Sequence, residues 1–308
     1  MRISAPPTPG WIWKRLNPRW CPAAPGTPWP DARSFAVNLD LHLHSTASDG
    51  SLPPEAVVHA AVAGHLDVIA LTDHDTVAGI EAALEAAQGH PIHVIPALEV
   101  SSTWDEREIH ILGYFVDPSE GRLRAHDGRA RERRAQRLEE MVGRLRSQGL
   151  DVRFDDVVTA AGEGVASMGR PHLARALVDR GIVASIPEAF DRYIGNDHAA
   201  YIPTRLQDPE SAIAMIHGAG GIAVWAHPPM WMLHDLLPEL VKVGLDGVEV
   251  YRPRNHSDRV LELERAARGA GLAILTGGSD WHGPDDGELG TFVVDSRQVS
   301  AFLERGGM

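Results

Sequence analysis

Short apolar runs alternate with alanine-rich stretches along most of this chain, and that alternation restricts its fold more than any other feature. Stretches of helical composition follow several of the apolar runs, for example at 53–65 and 79–88. The apolar runs lie at 37–42, 67–72, 92–100, 109–115, 221–228, 246–251, 272–280 and 289–294. Strands that alternate with helices in this way are typical of a parallel sheet or barrel. Seven or eight of them indicate a closed barrel.

The middle of the chain, residues 119–202, departs from this alternation because it lacks apolar strand runs. We expect a helical insertion here, placed over the C-terminal face of a barrel, where barrel enzymes keep their active sites. The barrel itself would comprise residues 37–118 and 203–308. Helices are predicted at 122–149, 170–180 and 187–194.

The first 36 residues hold eight of the 22 prolines and four of the eight tryptophans, with neither helical nor strand periodicity. We predict an irregular N-terminal extension rich in proline and tryptophan. Lys14, Arg15 and Arg19 interrupt any apolar segment of the kind that a secretory signal requires.

Composition excludes several classes of function. No apolar run approaches the roughly 20 residues that span a bilayer, so we expect no membrane association. Cys21 is the only cysteine, which rules out an internal disulfide and suits the cytoplasm. The formal charge of −13 argues against broad electrostatic binding to nucleic acid but allows a local basic patch. Nothing in the sequence indicates an obligate protein partner.

The segment DLHLHSTASDG at 40–50 carries the strongest chemical signal. His42 and His44 are two residues apart on a predicted strand, so both side chains point to the same face and can bind one cation. Asp49 follows in a polar loop. Taken alone, the two histidines could equally be hydrogen-bonded groups of the core.

Similar residues follow or begin further predicted strands. LTDHDT at 71–76 places His74 between Asp73 and Asp75, which we expect to orient metal ligands. The other residues of this kind are Glu99, His110, His227, Asp280 and His282. The same placement after strand upon strand predicts that these groups converge on one rim. Charges buried so close together require cations, since otherwise they repel one another.

In order and spacing, these motifs resemble those of the PHP (polymerase and histidinol phosphatase) superfamily of metal-dependent phosphoesterases. The resemblance rests on HLHS with SDG, TDHD, the glutamate of ALEVSS, HILGY, AHP and SDWH, and it covers residues 38–295 apart from the insertion. With the strand pattern, it implies an α/β fold, a distorted (β/α)7-type TIM-like barrel. TASDGSLPPEAVV and GRPHLARALV look like the branch that dephosphorylates nucleoside 3′,5′-bisphosphates and trims RNA 5′ ends.

The resemblance also implies a set of two or three divalent cations. The first would be held by His42, His44, Glu99 and Asp280, the second by Glu99 with His110 and His227, and the third by Asp49, His74 and His282. Imidazole and carboxylate donors without a thiolate are compatible with Mn²⁺, Fe²⁺ or Zn²⁺, and the branch favours Mn²⁺. The expected reaction is phosphate monoester hydrolysis by a metal-activated hydroxide.

Two residues of the insertion, Arg170 and His172, lie just before a predicted helix, where a phosphate is favoured. Arg170 could instead form a surface ion pair. The nine arginines within 122–146 predict a solvated helix face, although some could meet a second phosphate or an RNA backbone if the helix covers the site.

The predicted substrate is a phosphorylated small molecule or a short nucleic acid. Two alternatives stay open at this point. One is a histidinol-phosphate phosphatase, and the other is a non-catalytic PHP regulatory module. Without the family resemblance, amide or ester hydrolysis would be open as well.

Overall fold

A single mixed sheet organises the computed structural model, which describes residues 37–204 and 206–308; the predicted irregular segment 1–36 lies outside the described residues. The strands are β1 (Asn38–Leu43), β2 (Val68–Leu71), β3 (His93–Trp104), β4 (Arg107–Tyr114), β5 (Ile222–Trp225), β6 (Gly247–Tyr251), β7 (Ile274–Gly277) and β8 (Val294–Asp295). Their order in the sheet is β7-β6-β5-β4-β3-β2-β1-β8. Most are buried on both faces, as expected for strands that helices cover.

One central strand, β4, runs antiparallel to both of its neighbours, β3 and β5. The parallel sheet expected from the sequence is therefore wrong at this strand, and also at β8, which pairs antiparallel with β1. The reason is local: β3 and β4 are joined by only Asp105 and Glu106, whose φ angles of 48° and 62° match a two-residue hairpin turn. A connection this short cannot support a parallel crossover.

The sheet nearly closes between β7 and β1. The Asp280 amide donates to the His42 carbonyl, and the His44 amide donates to the Trp281 carbonyl, both at 2.9 Å. Gly278 permits this approach, because a Cβ at this position would lie 2.4 Å from the Cβ of His42. The distorted TIM-like barrel predicted from the sequence is thereby confirmed. The predicted strand at 289–294 is wrong except at Val294, since Gly290 (φ 91°) turns the chain against Gly64.

Helices cover the outside of the barrel and fill the middle of the chain. They are α1 (Pro54–Ala63), α2 (Ile80–Ala86), α3 (Gly121–Ser147), α4 (Phe154–Ala161), α5 (Arg170–Asp179), α6 (Ile186–Ala189), α7 (Pro209–Gly218), α8 (Met230–Lys242), α9 (Ser257–Gly269) and α10 (Ser300–Gly306). No helix in the described ranges combines the length and the apolar character needed to cross a bilayer.

The helices of the middle segment form a second hydrophobic core, separate from that of the barrel. Leu138, Met141 and Leu145 of α3 pack there with Leu173 and Leu177 of α5. The predicted helix at 187–194 is divided into α6 and a π-helical turn at 190–194, and α4 was not among the predicted helices. The separate core is compatible with the predicted domain boundaries at 119 and 202, which stay a prediction.

The insertion lies against the C-terminal ends of the barrel strands. The amides of Ala166 and Ser167 donate to the Ala47 carbonyl in the loop after β1, and Arg175 donates to the Asp49 carbonyl. Most of the arginines in α3 are exposed, as expected for a solvated face, but Arg134 and Arg137 are buried and point towards the barrel. For these two, the expectation of solvation is wrong, because the helix covers the rim.

Candidate metal centre

All nine residues predicted as metal ligands come together at one rim of the barrel. His42 lies near the end of β1 and His44 directly follows that strand, while Glu99 and His110 face each other from the hairpin of β3 and β4. The others occupy loops that leave the strand ends: Asp49, His74, His227, Asp280 and His282. Because β4 is reversed, its beginning rather than its end reaches this rim, which explains why His110 stands near the start of its strand.

The first group of candidate ligands consists of His42, His44, Glu99 and Asp280, the set that the family resemblance implied. The four distances that join the histidine Nε2 atoms to Glu99 Oε2 and Asp280 Oδ1 are 3.3–3.4 Å. Donors bound tetrahedrally at about 2.1 Å from a cation would lie roughly 3.4 Å from one another. The spacing therefore fits one cation at the centre of the group.

Hydrogen bonding supports the same conclusion. His42 Nε2, His44 Nε2 and Glu99 Oε2 are buried and have no hydrogen-bond partner among the described residues. Buried polar atoms are almost always satisfied, so three such atoms that converge on one point indicate a missing partner. One cation could be coordinated by all three atoms at once.

The second group surrounds Glu99 on its other side. His74 Nδ1 lies 3.1 Å from Glu99 Oε2, and His110 Nδ1 lies 2.9 Å from Glu99 Oε1. These three side chains form one group able to hold a cation, so His74 joins a set for which the family resemblance implied Glu99, His110 and His227. His227 lies close by, with its Nε2 2.8 Å from Glu99 Oε1.

The third group is wider and more open to solvent. It joins Asp49, His74 and His282, as the resemblance implied, to His44. Asp49 lies 3.8 Å from His44 and His74 and 3.6 Å from His282. Asp49 and His44 are buried, whereas His282 has 31% of its side chain exposed. A cation here would be the easiest of the three to exchange.

Burial and neighbouring charges shift the pKa values of Glu99 and of two histidines beside it in different directions. Burial alone would raise the pKa of Glu99, but the surrounding His74, His110 and His42 lower it well below its ordinary value. Burial would lower the pKa of His110, yet Glu99 and Glu108 raise it to about 10. At His74 burial prevails and lowers the pKa to about 3, which keeps this ring neutral as a metal ligand must be.

Further charged residues around the centre were not predicted from the sequence. Glu249 in β6 is fully buried and lies 2.8 Å from His42 Nδ1, which leaves Nε2 of that ring for a cation. Arg252 donates to Asp280 Oδ2 at 2.7 Å. The signal for Glu249 was present, because a glutamate inside the apolar run GVEVY is out of place in a core strand.

The two aspartates of TDHD, which we expect to orient metal ligands, form hydrogen bonds to neighbouring parts of the rim. Asp73 accepts hydrogen bonds from the Ser45 amide and from the hydroxyls of Ser45 and Ser48, and so it fixes the loop that leads to Asp49. Asp75 accepts from Arg134 at 2.6 and 2.8 Å and lies 3.0 Å from His126 Nε2. Through Asp75, helix α3 is anchored to the rim.

Backbone conformation at the rim is strained at three positions in the loops that follow β2, β5 and β7. Asp75, His227 and Asp280 have φ angles of 55°, 31° and 59° without being glycines. Such angles cost free energy and persist at sites whose surroundings enforce them, often functional ones. Two of the three are candidate ligands.

Arg170 and His172 begin α5 as predicted, but they have different surroundings. The His172 ring is fully buried: its Nδ1 accepts from the Gly169 amide, and its Nε2 has no hydrogen-bond partner in the described structure. Arg170 donates to Asn196 Oδ1 at 2.7 Å, and its guanidinium lies 5.1 Å from the centre of the Tyr201 ring. Their role in substrate binding stays a prediction.

A barrel with a rim of histidines and carboxylates able to hold cations defines a metal-dependent hydrolase. The model of the PHP domain matches residues 40–161 of the chain. Over 250 residues the chain is 36% identical to the 5′-3′ exoribonuclease of Haemophilus influenzae, and the alignment covers 80% of this chain and 90% of that protein. It is 33% identical over 256 residues to the 3′,5′-nucleoside bisphosphate phosphatase of Chromobacterium violaceum (82% and 89%).

A solved structure agrees with these relatives. The crystal structure of a metal-dependent phosphoesterase from Bifidobacterium adolescentis matches with a TM-score of 0.78 and 32% identity, over 87% of this chain and 96% of that one. The chain therefore belongs to the PHP family of metal-dependent phosphoesterases.

Proposed function

We propose that this protein hydrolyses phosphate monoesters of nucleotides, namely nucleoside 3′,5′-bisphosphates and the 5′-phosphorylated ends of RNA or oligonucleotides. The observation that carries the proposal is the group of His42, His44, Glu99 and Asp280, whose donor atoms have the spacing of a cation site. The inward atoms of the first three are also buried without a hydrogen-bond partner among the described residues. The name of the Chromobacterium relative, a bisphosphate phosphatase, supports phosphate monoesters of nucleotides, and the name of the Haemophilus relative, an exoribonuclease, supports RNA as a substrate.

The metal set in this proposal is two or three divalent cations. When bound, a pair of them lowers the pKa of a coordinated water and neutralises phosphoryl oxygens. The donors are imidazole and carboxylate, which suits Mn²⁺, Fe²⁺ and Zn²⁺, and we propose Mn²⁺. The proposed ligands are His42, His44, Asp49, His74, Glu99, His110, His227, Asp280 and His282.

The protein contributes the orientation of these ligands. Glu249 and Glu108 hold the outer nitrogens of His42 and His110, at 2.8 and 3.3 Å, so that the other nitrogen of each ring faces Glu99. Arg252 holds Asp280 in the same way. Partners of this kind fix the tautomer and direction of a ligand before the metal binds.

Arg170 and His172 are the proposed contacts to the substrate phosphate. The buried and unpartnered Nε2 of His172 supports this role, since a phosphate oxygen would satisfy it when the ring carries its proton there. Arg137 lies in the same part of the insertion; its Nη2 atom is buried, lies 3.7 Å from Glu108 Oε2 and has no hydrogen-bond partner in the described structure. Burial lowers the pKa of Arg137 to about 10, which leaves it charged at neutral pH.

We place the reaction in the cytoplasm, since a single cysteine suits a reducing compartment. The substrate is the only partner in the proposal.

The test is a phosphate-release screen with purified protein. The substrates are adenosine 3′,5′-bisphosphate, a nucleoside monophosphate, histidinol phosphate and a 5′-phosphorylated oligoribonucleotide. Chelation is expected to abolish release, and Mn²⁺ is expected to restore it. As a control, Mn²⁺ should not restore release by the Glu99→Gln variant. Full activity of protein that elemental analysis shows to be metal-free would contradict the proposal, and so would activity on histidinol phosphate alone.

A further inference from the structure

Trp231 has the most exposed large apolar side chain in the described part of the molecule, with 62% of its surface open to solvent. It lies in the first turn of α8, and the buried face of that helix consists of other residues: Met232, Leu233, Leu236, Leu237 and Leu240. The indole therefore adds nothing to the core. A single exposed apolar side chain is ordinary, so its meaning depends on what surrounds it.

Arg107 is the neighbour that gives Trp231 a chemical character. The central carbon of its guanidinium lies 4.3 Å from the centre of the Trp231 ring, well within the range of a cation–π contact. Arg107 is itself exposed and is the first residue of β4. We call Trp231 and Arg107 together the rim platform. Aromatic rings and arginine planes are the surfaces on which proteins stack the bases of single-stranded nucleic acids.

The rim platform lies beside the candidate metal centre: Arg107 is on β4, and Trp231 is at the start of the helix that follows the neighbouring strand β5. Arg107 precedes His110 by three residues, about 10 Å along β4. Trp231 follows His227 by four residues, which allows at most about 14 Å. The ring nitrogens of His110 and His227 are 3.3 Å apart. Arg107 and His110 are an odd number of residues apart, so they point to opposite faces of β4, and the platform lies on the outer edge of the rim.

The charges around the rim platform favour a base over a phosphate. Asp105 and Glu106 form the turn directly before Arg107. Two carboxylates beside the platform repel a phosphodiester backbone, whereas a base carries no net charge and offers a flat face to the indole. The exposed part of the indole is open to receive it.

We propose that the rim platform stacks a base of a single-stranded RNA substrate, downstream of the terminal nucleotide whose 5′-phosphate enters the metal centre. This inference rests on the proposed function and adds a contact that only its oligonucleotide substrates make. Only an RNA longer than one nucleotide can reach from the metal centre, past β4 and β5, to the outer face of the barrel. The rim platform thus selects substrates by length.

Steady-state kinetics of Trp231→Ala and Trp231→Phe test this on two substrates, a 5′-phosphorylated pentaribonucleotide and adenosine 3′,5′-bisphosphate. Loss of one stacked base is expected to raise the KM of Trp231→Ala for the pentanucleotide about five- to a hundredfold. Trp231→Phe keeps a ring and should retain most of the affinity. The matched control is Leu261→Ala, which removes another exposed apolar side chain, 43% exposed on α9. An unchanged KM for the pentanucleotide, or an equal rise for both substrates, would overturn the proposal.

A second experiment distinguishes stacking of an RNA base from binding of the RNA backbone. A pentanucleotide that has its terminal base but is abasic at the downstream positions keeps every phosphate. Trp231→Ala should bind it as well as the wild type does, and an equal loss with and without these bases would overturn stacking. Binding is measured by fluorescence anisotropy of a 3′-labelled strand in a Glu99→Gln background, which removes hydrolysis from the measurement. If the wild type hydrolyses neither substrate, the proposed function fails. The binding experiment still tests the rim platform, because weaker RNA binding by Trp231→Ala supports base stacking there and unchanged binding overturns it.

Discussion

The barrel rim and the helical insertion both bury charged side chains, but they neutralise them differently. In the insertion, the Arg134 guanidinium donates to Asp75, to Ser101 and to the Met168 carbonyl, so the protein itself supplies the partners. At the rim, the inward atoms of His42, His44 and Glu99 have no hydrogen-bond partner among the described residues. Buried charges that have partners fix a structure, whereas converging buried donors without partners indicate a missing ligand.

Glu99→Gln should have the largest effect on activity, because Glu99 lies within ligand distance of two cation groups. We expect kcat to fall on the order of a thousandfold and metal content to fall with it. His282→Asn, at the more open third group, should be milder. Turnover and elemental analysis measure both variants, with the exposed Glu139→Gln as control. An unchanged metal count in Glu99→Gln would contradict its assignment as a bridging ligand.

Arg134→Met tests the insertion, where buried charges have partners within the protein. Removing one partner leaves the Asp75 carboxylate buried without its cation, which typically costs about 3–5 kcal/mol of the free energy of unfolding. Denaturant unfolding measures the loss, and metal content should stay near normal. Exchanging the exposed Arg129 of the same helix for methionine should change stability little. Equal losses for the two variants would show that burial at 134 is unimportant.

Glu249→Gln probes a residue that contacts a candidate ligand rather than a cation. A glutamine accepts a weaker hydrogen bond from His42 Nδ1, so metal affinity is expected to fall about ten- to a hundredfold. Titration of the metal-free protein with Mn²⁺ measures this directly. Stability should change less than in Arg134→Met. An Mn²⁺ affinity equal to that of the wild type would show that Glu249 does not contribute to metal binding.

Arg170→Ala should have an effect no larger than that of Glu249→Gln, and on substrate rather than metal. Loss of charge-assisted hydrogen bonds to a phosphate costs about 1.5–3 kcal/mol, roughly ten- to a hundredfold in kcat/KM. Near-normal melting and metal content should accompany the kinetic defect. Arg192→Ala is the matched control, because Arg192 forms an exposed ion pair with Glu188. If the kinetics of Arg170→Ala resemble those of the control, Arg170 is structural.

Sequence reasoning located the candidate ligands well because most of them lie within a few residues of a strand end. The apolar runs that contain or precede His42, Glu99 and Asp280 mark those ends. It could not assign His74 to the second group, because a group of this kind depends on distances between loops. The reversal of β4 was also hidden, since it depends on the φ angles of Asp105 and Glu106.

Within the insertion, periodicity predicted α3 and α5 but could not separate Arg134 and Arg137 from the exposed arginines of α3. All nine are alike in sequence, and only the path of the helix over the rim distinguishes them. α4 had a usable signal, because Asp155 and Asp156 stand in its first turn and the Asp156 side chain accepts from the Arg153 amide. Its eight residues are too few for a clear period.

The reversal of β4 has a consequence for the length of α3. Because β4 ends at the face of the barrel opposite the rim, the chain must return along the flank, and the 27 residues of α3 provide about 40 Å for this. Leu123 near its start packs in the barrel core, whereas Leu138 and Leu145 pack in the core of the insertion. One residue deleted between these cores would rotate Arg134 and Arg137 by about 100° and shift them by about 1.5 Å. Viable insertions and deletions in this helix are therefore restricted to nearly whole numbers of turns.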